Sequence, residues 1–150
     1  MSIIDGLLRK LGLRDASARR ELSVFLLDDD EARHRWFAKR FRRDHLDVAV
    51  EPAHAIELLQ TNRYDAIFLD HDLLPEHYHA ETLEDKLTGY EVAEWLALHP
   101  ERQAASAIIV HTRNADGAWK MVRRLQDSGR QAEYVPFPVL SPTLKKYWQR

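Results

Sequence analysis

Apolar residues recur along the chain in two alternating rhythms. Val24-Phe25-Leu26-Leu27, Ala66-Ile67-Phe68-Leu69 and Ala107-Ile108-Ile109-Val110 are short runs with no polar interruption. Such runs suit strands buried on both faces, as in the inside of a parallel sheet. Asp47–Val50 and Tyr134-Val135 read as two further strands. Between the strands the spacing turns helical. Ala32, Trp36, Phe37, Arg40 and Phe41 mark one face, and Ala55, Ile56 and Leu59 mark another behind Pro52, a good opening residue. Val92, Ala93 and Leu96 point inward from a helix over Tyr90–Leu98, closed by Pro100. Ala118, Met121, Val122 and Leu125 follow Asn114, a natural N-cap, and Gly129 closes that helix. Pro142 starts a brief terminal helix. Strands alternating with helices predict an α/β fold, doubly wound, with a five-stranded parallel sheet and right-handed crossovers.

Ahead of this pattern, Ile3, Ile4, Leu7, Leu8 and Leu11 recur at helical spacing until Asp15-Ala16-Ser17 breaks the rhythm. The chain therefore divides into an amphipathic helical extension (1–21), one main domain (22–140) and a short C-terminal helix or tail (141–150). The extension packs on the domain surface, forms a homodimer contact, or docks a protein partner.

Ligands of open parallel sheets sit beyond the carboxyl ends of the strands. Here those ends carry chemistry: Asp28 and Asp29 after the first strand, Asp70 after the third, His111 and Thr112 after the fourth. Carboxylates converging at one edge repel each other, and burial sharpens the conflict. A hard divalent cation, Mg²⁺ or Mn²⁺, resolves it. The Thr112 hydroxyl and backbone amides near Asn114, at a helix N-terminus, suit phosphate oxygens. In the plainer alternative the aspartates only cap helices. Composition narrows the classes. The 150 residues are 45% apolar and 31% charged, with a net charge of −2, which fits a globular domain and gives no overall affinity for polyanions. The absence of cysteine excludes disulfides, thiolate metal sites and cysteine nucleophiles. No apolar run approaches the ~18–20 residues of a membrane span. The charged opening residues do not read as a secretory signal, so the expected location is cytoplasmic.

The segments VFLLDDDEAR, YDAIFLDHDLL, TGYEVAEWL and IIVHTRN, in that order, resemble the receiver domain of two-component response regulators. The resemblance covers roughly residues 22–140 and implies a flavodoxin-like receiver fold of strand order 2-1-3-4-5. It also implies that Asp28, Asp29 and Asp70 bind Mg²⁺, with the main-chain carbonyl of Asp72 completing the metal shell. Asp70 is then the phosphoacceptor, and Thr112 and Tyr134 are the switch pair. The pattern LDD…R, LDHDL, TGY and VHTRN is more similar still to the cyclic-phosphate-processing receivers, a branch proposed to contain metal-dependent phosphoesterases. That likeness adds Arg33, His71, His111 and Asn114. Two features depart from ordinary receivers. The lysine expected near the fifth strand is replaced by Phe137. The segment Glu76–Thr88, EHYHAETLEDKLT, is longer than usual and reads as a lid or substrate-selecting loop.

Individual residues carry alternatives. His71 ligates the metal, donates a proton to a leaving alkoxide, or is a loop histidine. His111 pairs with His71 across a scissile P–O bond, or lies in the core. Arg33 binds phosphate or orients Asp29, or forms an i, i+4 ion pair. Arg113 replaces the missing lysine or is solvated. His77 and His79, alternating with Glu76, Tyr78 and Glu81, form a second metal site or a solvated loop. Six basic residues fall within positions 33–43; they track nucleic-acid phosphate or, the favoured reading, form a solvated helix face. Trp36 and Trp95 are expected in the core.

Two functional classes follow. In the first, the chain is a metal-dependent phosphoesterase that opens cyclic phosphates, using Asp70, His71 and His111 for catalysis and Arg33, Thr112 and Asn114 for phosphate. In the second, it is a stand-alone response-regulator receiver phosphorylated on Asp70, or a pseudo-receiver that only binds a phosphorylated ligand or a protein partner.

Overall fold

The computed structural model describes residues 19–73 and 87–150. The amphipathic helix expected near the N-terminus lies outside the described residues, as do Glu76, His77, Tyr78, His79 and Glu81. Strands β1 (Ser23–Leu27), β2 (His45–Ala49), β3 (Ala66–Leu69), β4 (Ala107–Val110) and β5 (Ala132–Tyr134) form one parallel sheet in the order β2-β1-β3-β4-β5. They alternate with helices α1 (Glu31–Arg40), α2 (Pro52–Thr61), α3 (Gly89–Leu98) and α4 (Ala115–Asp127). A 3₁₀ turn (Phe137–Val139) then leads into α5 (Leu140–Trp148). The doubly wound sheet and its order agree with the sequence pattern and the resemblance.

Side-chain alternation divides the core into two layers. Phe25, Leu27, Ile67, Leu69, Ile108 and Val110 face α2, α3 and α4, meeting Ala55, Leu59, Val92, Leu96, Met121 and Leu125. Val24, Leu26, Phe68 and Ile109 face the other way, against Phe37 of α1, Phe41 just after it, and Leu140 and Leu144 of α5. Trp36 and Trp95 are only half-buried, at the rims of these layers rather than within them.

The edge strands differ most from expectation. β2 begins at His45 and ends at Ala49, leaving Val50 exposed beyond it. β5 starts at Ala132, and Val135 drops out ahead of Pro136, which has no N–H to continue a ladder. Helix α5 begins two residues before Pro142. Away from the strand carboxyl ends, Asp44 is locked by hydrogen bonds from the Leu22 N–H, Arg19 and Arg150. Arg130 gathers the carbonyls of Leu96, His99 and Gln103 at the end of α3.

Candidate active site

Register builds the site. Leu27 pairs with Leu69, and Leu69 with Val110, so the next residue of each strand falls in one row: Asp28, Asp70 and His111. The ladder continues through that row, with Asp70 N–H donating to Leu27 O (2.9 Å) and His111 N–H to Leu69 O (3.0 Å). Alternation turns all three side chains to the α1 side, the side of Leu26, Phe68 and Ile109. One ligating atom from each lies within 4.8 Å of the others, and all three residues are buried.

Arg33 closes the row from above. Asp30 caps α1 by accepting the Arg33 N–H (3.0 Å), which places Arg33 in the first turn over the sheet edge. Its Nη2 donates to Asp28 Oδ1 (2.9 Å) and to Asp70 Oδ2 (2.8 Å), and Nε lies 2.8 Å from Asp28 Oδ2. Arg33 therefore bridges Asp28 and Asp70. It does not orient Asp29 or form a surface i, i+4 pair, because the helical turn carries it past the preceding loop. Its guanidinium stands 6.0 Å from the centroid of the Phe137 ring. A cation from α1 thus lies against the aromatic that occupies the expected lysine position, while Arg113 is exposed.

His111 has a different place from the paired acid/base reading. Its side chain is fully buried, with Nε2 2.7 Å from Asp28 Oδ2. Because the carboxylate only accepts, Nε2 carries the proton. Nδ1 is buried without a hydrogen-bond partner among the described residues, and the ring packs 5.7 Å from Phe37, centroid to centroid. His111 therefore anchors Asp28 from the apolar layer and does not face His71 across an open cleft.

The local field is negative. Burial pushes Asp28 up, but the His111 hydrogen bond and charge, joined by Arg33, hold it below the ordinary carboxylate range. Asp70 is raised, first by burial and then by Asp28, against the pull of His111, Arg33 and a Thr112 hydrogen bond. Half-buried Asp29 rises to about 6, through burial and then the charges of Asp70 and Asp28. Arg33 bridges Asp28 and Asp70 and leaves Asp29 without a direct cationic partner, so a carboxylate lifted this far marks a deficit of positive charge. With His111 Nε2 donating to Asp28, the remaining donors Asp28, Asp29 and Asp70 are all oxygen, and that set with that deficit fits Mg²⁺ or Mn²⁺.

Beside the row, His71 N–H donates to Asp70 Oδ1 (2.8 Å), and His71 Nδ1 lies 2.7 Å from Asp72 Oδ1. Asn114 caps α4 by accepting the Gly117 N–H (2.9 Å), and its Nδ2 donates to Asp72 Oδ1 (3.3 Å). Asn114 thus holds the helix and Asp72, rather than standing open to phosphate. The Thr112 hydroxyl accepts the Asn114 N–H (3.2 Å), and Tyr134 OH donates to the Thr112 carbonyl (3.1 Å).

Sequence reasoning passed over two glycines. A Cβ on Gly89 would lie 1.7 Å from the Asp70 carbonyl oxygen, so only glycine lets α3 begin there. A Cβ on Gly117 would lie 2.6 Å from His71 Cδ2. The available signal was a glycine in the first turn of each helix, where close backbone approach is the usual reason.

The sheet order and the acidic row at its carboxyl edge define a receiver fold. The structure is similar to chemotaxis protein CheY4 of Vibrio cholerae (TM-score 0.62, 16% identity, covering 85% of this chain and 99% of that one). It is also similar to the receiver domain of sensor histidine kinase PA1611 from Pseudomonas aeruginosa PAO1 (TM-score 0.60, 18% identity, 87% and 100% covered), whose crystal structure holds a magnesium ion coordinated in the active-site cleft. A CheY-like receiver from Methanospirillum hungatei JF-1 gives a TM-score of 0.60 at 17% identity, covering 85% and 93%. The chain itself belongs to the cyclic-phosphate processing receiver domain family, whose profile matches residues 23–127. No curated protein matches it. No described helix is long and apolar enough to cross a membrane.

Proposed function

We propose that this receiver-fold domain is a phosphoesterase that opens cyclic phosphates with the help of a divalent cation. The observation that carries this reading is the engagement of both Asp70 oxygens, Oδ1 by the His71 N–H and Oδ2 by Arg33. Both donors withdraw charge from the oxygens that would attack phosphorus, and each oxygen keeps a second lone pair for a cation. Asp28, Asp29, Asp70 and the main-chain carbonyl of Asp72 would hold Mg²⁺ or Mn²⁺, which supplies Lewis-acid polarisation of a phosphate oxygen when bound. Arg33, already desolvated and aligned, and the Thr112 hydroxyl bind non-bridging oxygens. Water adds to phosphorus, the ring P–O bond breaks, and the released oxygen takes the Nε2 proton of the doubly protonated His71 ring, which returns to its neutral form and regains a proton from solvent. The water's own proton leaves to solvent. His111 keeps Asp28 ionised and in place.

Purified protein incubated with a panel of ribose 2′,3′-type and other cyclic phosphates, with Mg²⁺ or Mn²⁺, should open at least one, and Asp70→Asn should abolish the turnover. No opening of any member sinks the reading. The Tyr134–Thr112 contact favours a second reading, phosphoacceptance at Asp70 with signalling to a protein partner, because it joins the two residues matched to the receiver switch. Acetyl phosphate and Mg²⁺ test it: an intact-mass phosphoryl adduct lost in Asp70→Asn would establish that reading over the first.

A further inference from the structure

We propose that Asp72 is a positioning residue for His71. Its carboxylate keeps the imidazole proton on Nδ1 and leaves Nε2 as the nitrogen that exchanges a proton with the departing oxygen. The proton transfer rests on the phosphoesterase reading; the tautomer assignment does not.

The geometry starts from the acceptor. Asp72 Oδ1 lies 2.7 Å from His71 Nδ1, and an ionised carboxylate has no proton to give, so the hydrogen sits on the ring nitrogen. In histidine sites the partner of one nitrogen decides the state of the other. Asp72 is itself held. Asn114 Nδ2 donates to the same oxygen at 3.3 Å, and Asn114 Oδ1 is committed to the Gly117 N–H at the start of α4. The amide orientation of Asn114 is therefore set by the helix cap, and it presents a donor to Asp72. The ring is seated as well: its Cδ2 and Cγ lie where a side chain on residue 117 would begin. With Nδ1 turned to Asp72, Nε2 has no hydrogen-bond partner among the described residues, and the side chain keeps 12% exposure. This nitrogen belongs to the residue that follows Asp70. The fully buried His111 has nothing equivalent.

The arrangement makes a specific forecast for variants. In Asp72→Ala the group left beside Nδ1 is Asn114 Nδ2, 3.4 Å away, which can only donate. The ring should then move its proton to Nε2. Asp72→Asn keeps an oxygen at the same place and should keep the proton on Nδ1. Both variants leave the main-chain carbonyl of Asp72 intact.

Long-range ¹H–¹⁵N NMR of ¹⁵N-histidine-labelled full chain, without metal, at mildly alkaline pH and assigned with His71→Gln, reads the tautomer directly. The expected result is Nδ1–H in the wild type and Asp72→Asn, and Nε2–H in Asp72→Ala. An Nε2–H wild type, or an Nδ1–H Asp72→Ala, overturns the proposal. On any cyclic phosphate the wild type opens, Asp72→Ala should lose about 10²-fold or more in kcat with KM little changed, and Asp72→Asn should recover part of it. An unchanged kcat despite the tautomer flip overturns the proton-transfer role. The expected tautomers in a protein that opens no cyclic phosphate would uphold the positioning by Asp72 and defeat the phosphoesterase reading instead.

Discussion

Gly117→Ala separates the folding of this domain from the seating of His71. The added methyl would lie 2.6 Å from His71 Cδ2, 2.7 Å from Cγ and 3.0 Å from Nδ1. Carbon atoms pack at about 3.5–4.0 Å, so the ring must retreat by about 1 Å. That retreat strains or breaks the 2.7 Å contact with Asp72. The backbone pulls the other way: alanine in place of glycine favours a helix by up to about 1 kcal/mol, somewhat less in a first turn. The Gly117 N–H that binds Asn114 survives the change. A half-exposed hydrogen bond lost, worth about 1 kcal/mol, roughly offsets the helix gain. Urea unfolding should therefore give a stability within about 1 kcal/mol of wild type. Cyclic-phosphate opening should fall about 100-fold, the scale associated with a 1 Å misplacement of a reacting group. Gly129→Ala is the matched control. Its φ of +88° makes alanine cost about 1 kcal/mol, yet nothing lies within 4 Å of the new methyl, so turnover should not change. A stable Gly117→Ala protein with full activity would refute the seating of His71. A loss of several kcal/mol would show that Gly117 serves the core instead.

Three further outcomes follow from the geometry. Gly89→Ala should destabilise by about 3 kcal/mol or more, because its methyl meets the Asp70 carbonyl at 1.7 Å and neither backbone can yield cheaply; a near-native urea midpoint would contradict this. Arg33→Ala leaves Asp28 and Asp70 buried without their bridge and should cost about 3 kcal/mol, and added Mg²⁺ should raise its melting temperature more than that of the wild type. Indifference of that variant to Mg²⁺ would tell against the metal site. At Asp44, burial raises the pKa, but Arg150, the Leu22 N–H and Arg19 lower it further, for a net depression. Its contribution is therefore present above the unfolded-state pKa of about 4 and is lost as pH falls through the depressed native value. The stability advantage of wild type over Asp44→Asn should be greatest near neutral pH and shrink in acid below pH 4; a constant gap would refute the assignment.

What the chain reveals before folding is uneven, and the reason is physical. β1, β3 and β4 are buried on both faces, so their runs of aliphatic residues are unmistakable, and the acids that end them stand out. β2 and β5 lie at the edges, where half-buried positions such as Asp47 and Glu133 obscure the pattern and the ends shift by one or two residues. Asn114 reads correctly as a cap, because capping is local. Arg33 could be placed near the acids by helical spacing, yet its choice of Asp28 and Asp70 over Asp29 depends on how α1 docks. The burial of His111 depends on Phe37, seventy-four positions away in the chain. Long-range packing of that kind leaves no trace in spacing.

The common row of Asp28, Asp70 and His111 has a consequence for assembly of the native state. Sliding any one strand by a single position would exchange its row residue for a neighbour, aliphatic in one direction (Leu27, Leu69 or Val110) and polar in the other (Asp29, His71 or Thr112), and aim the row residue into the opposite layer. A misaligned intermediate therefore has no partially working cleft. Recovery of cation binding during refolding would report, in one signal, that three separate segments have found their mutual alignment.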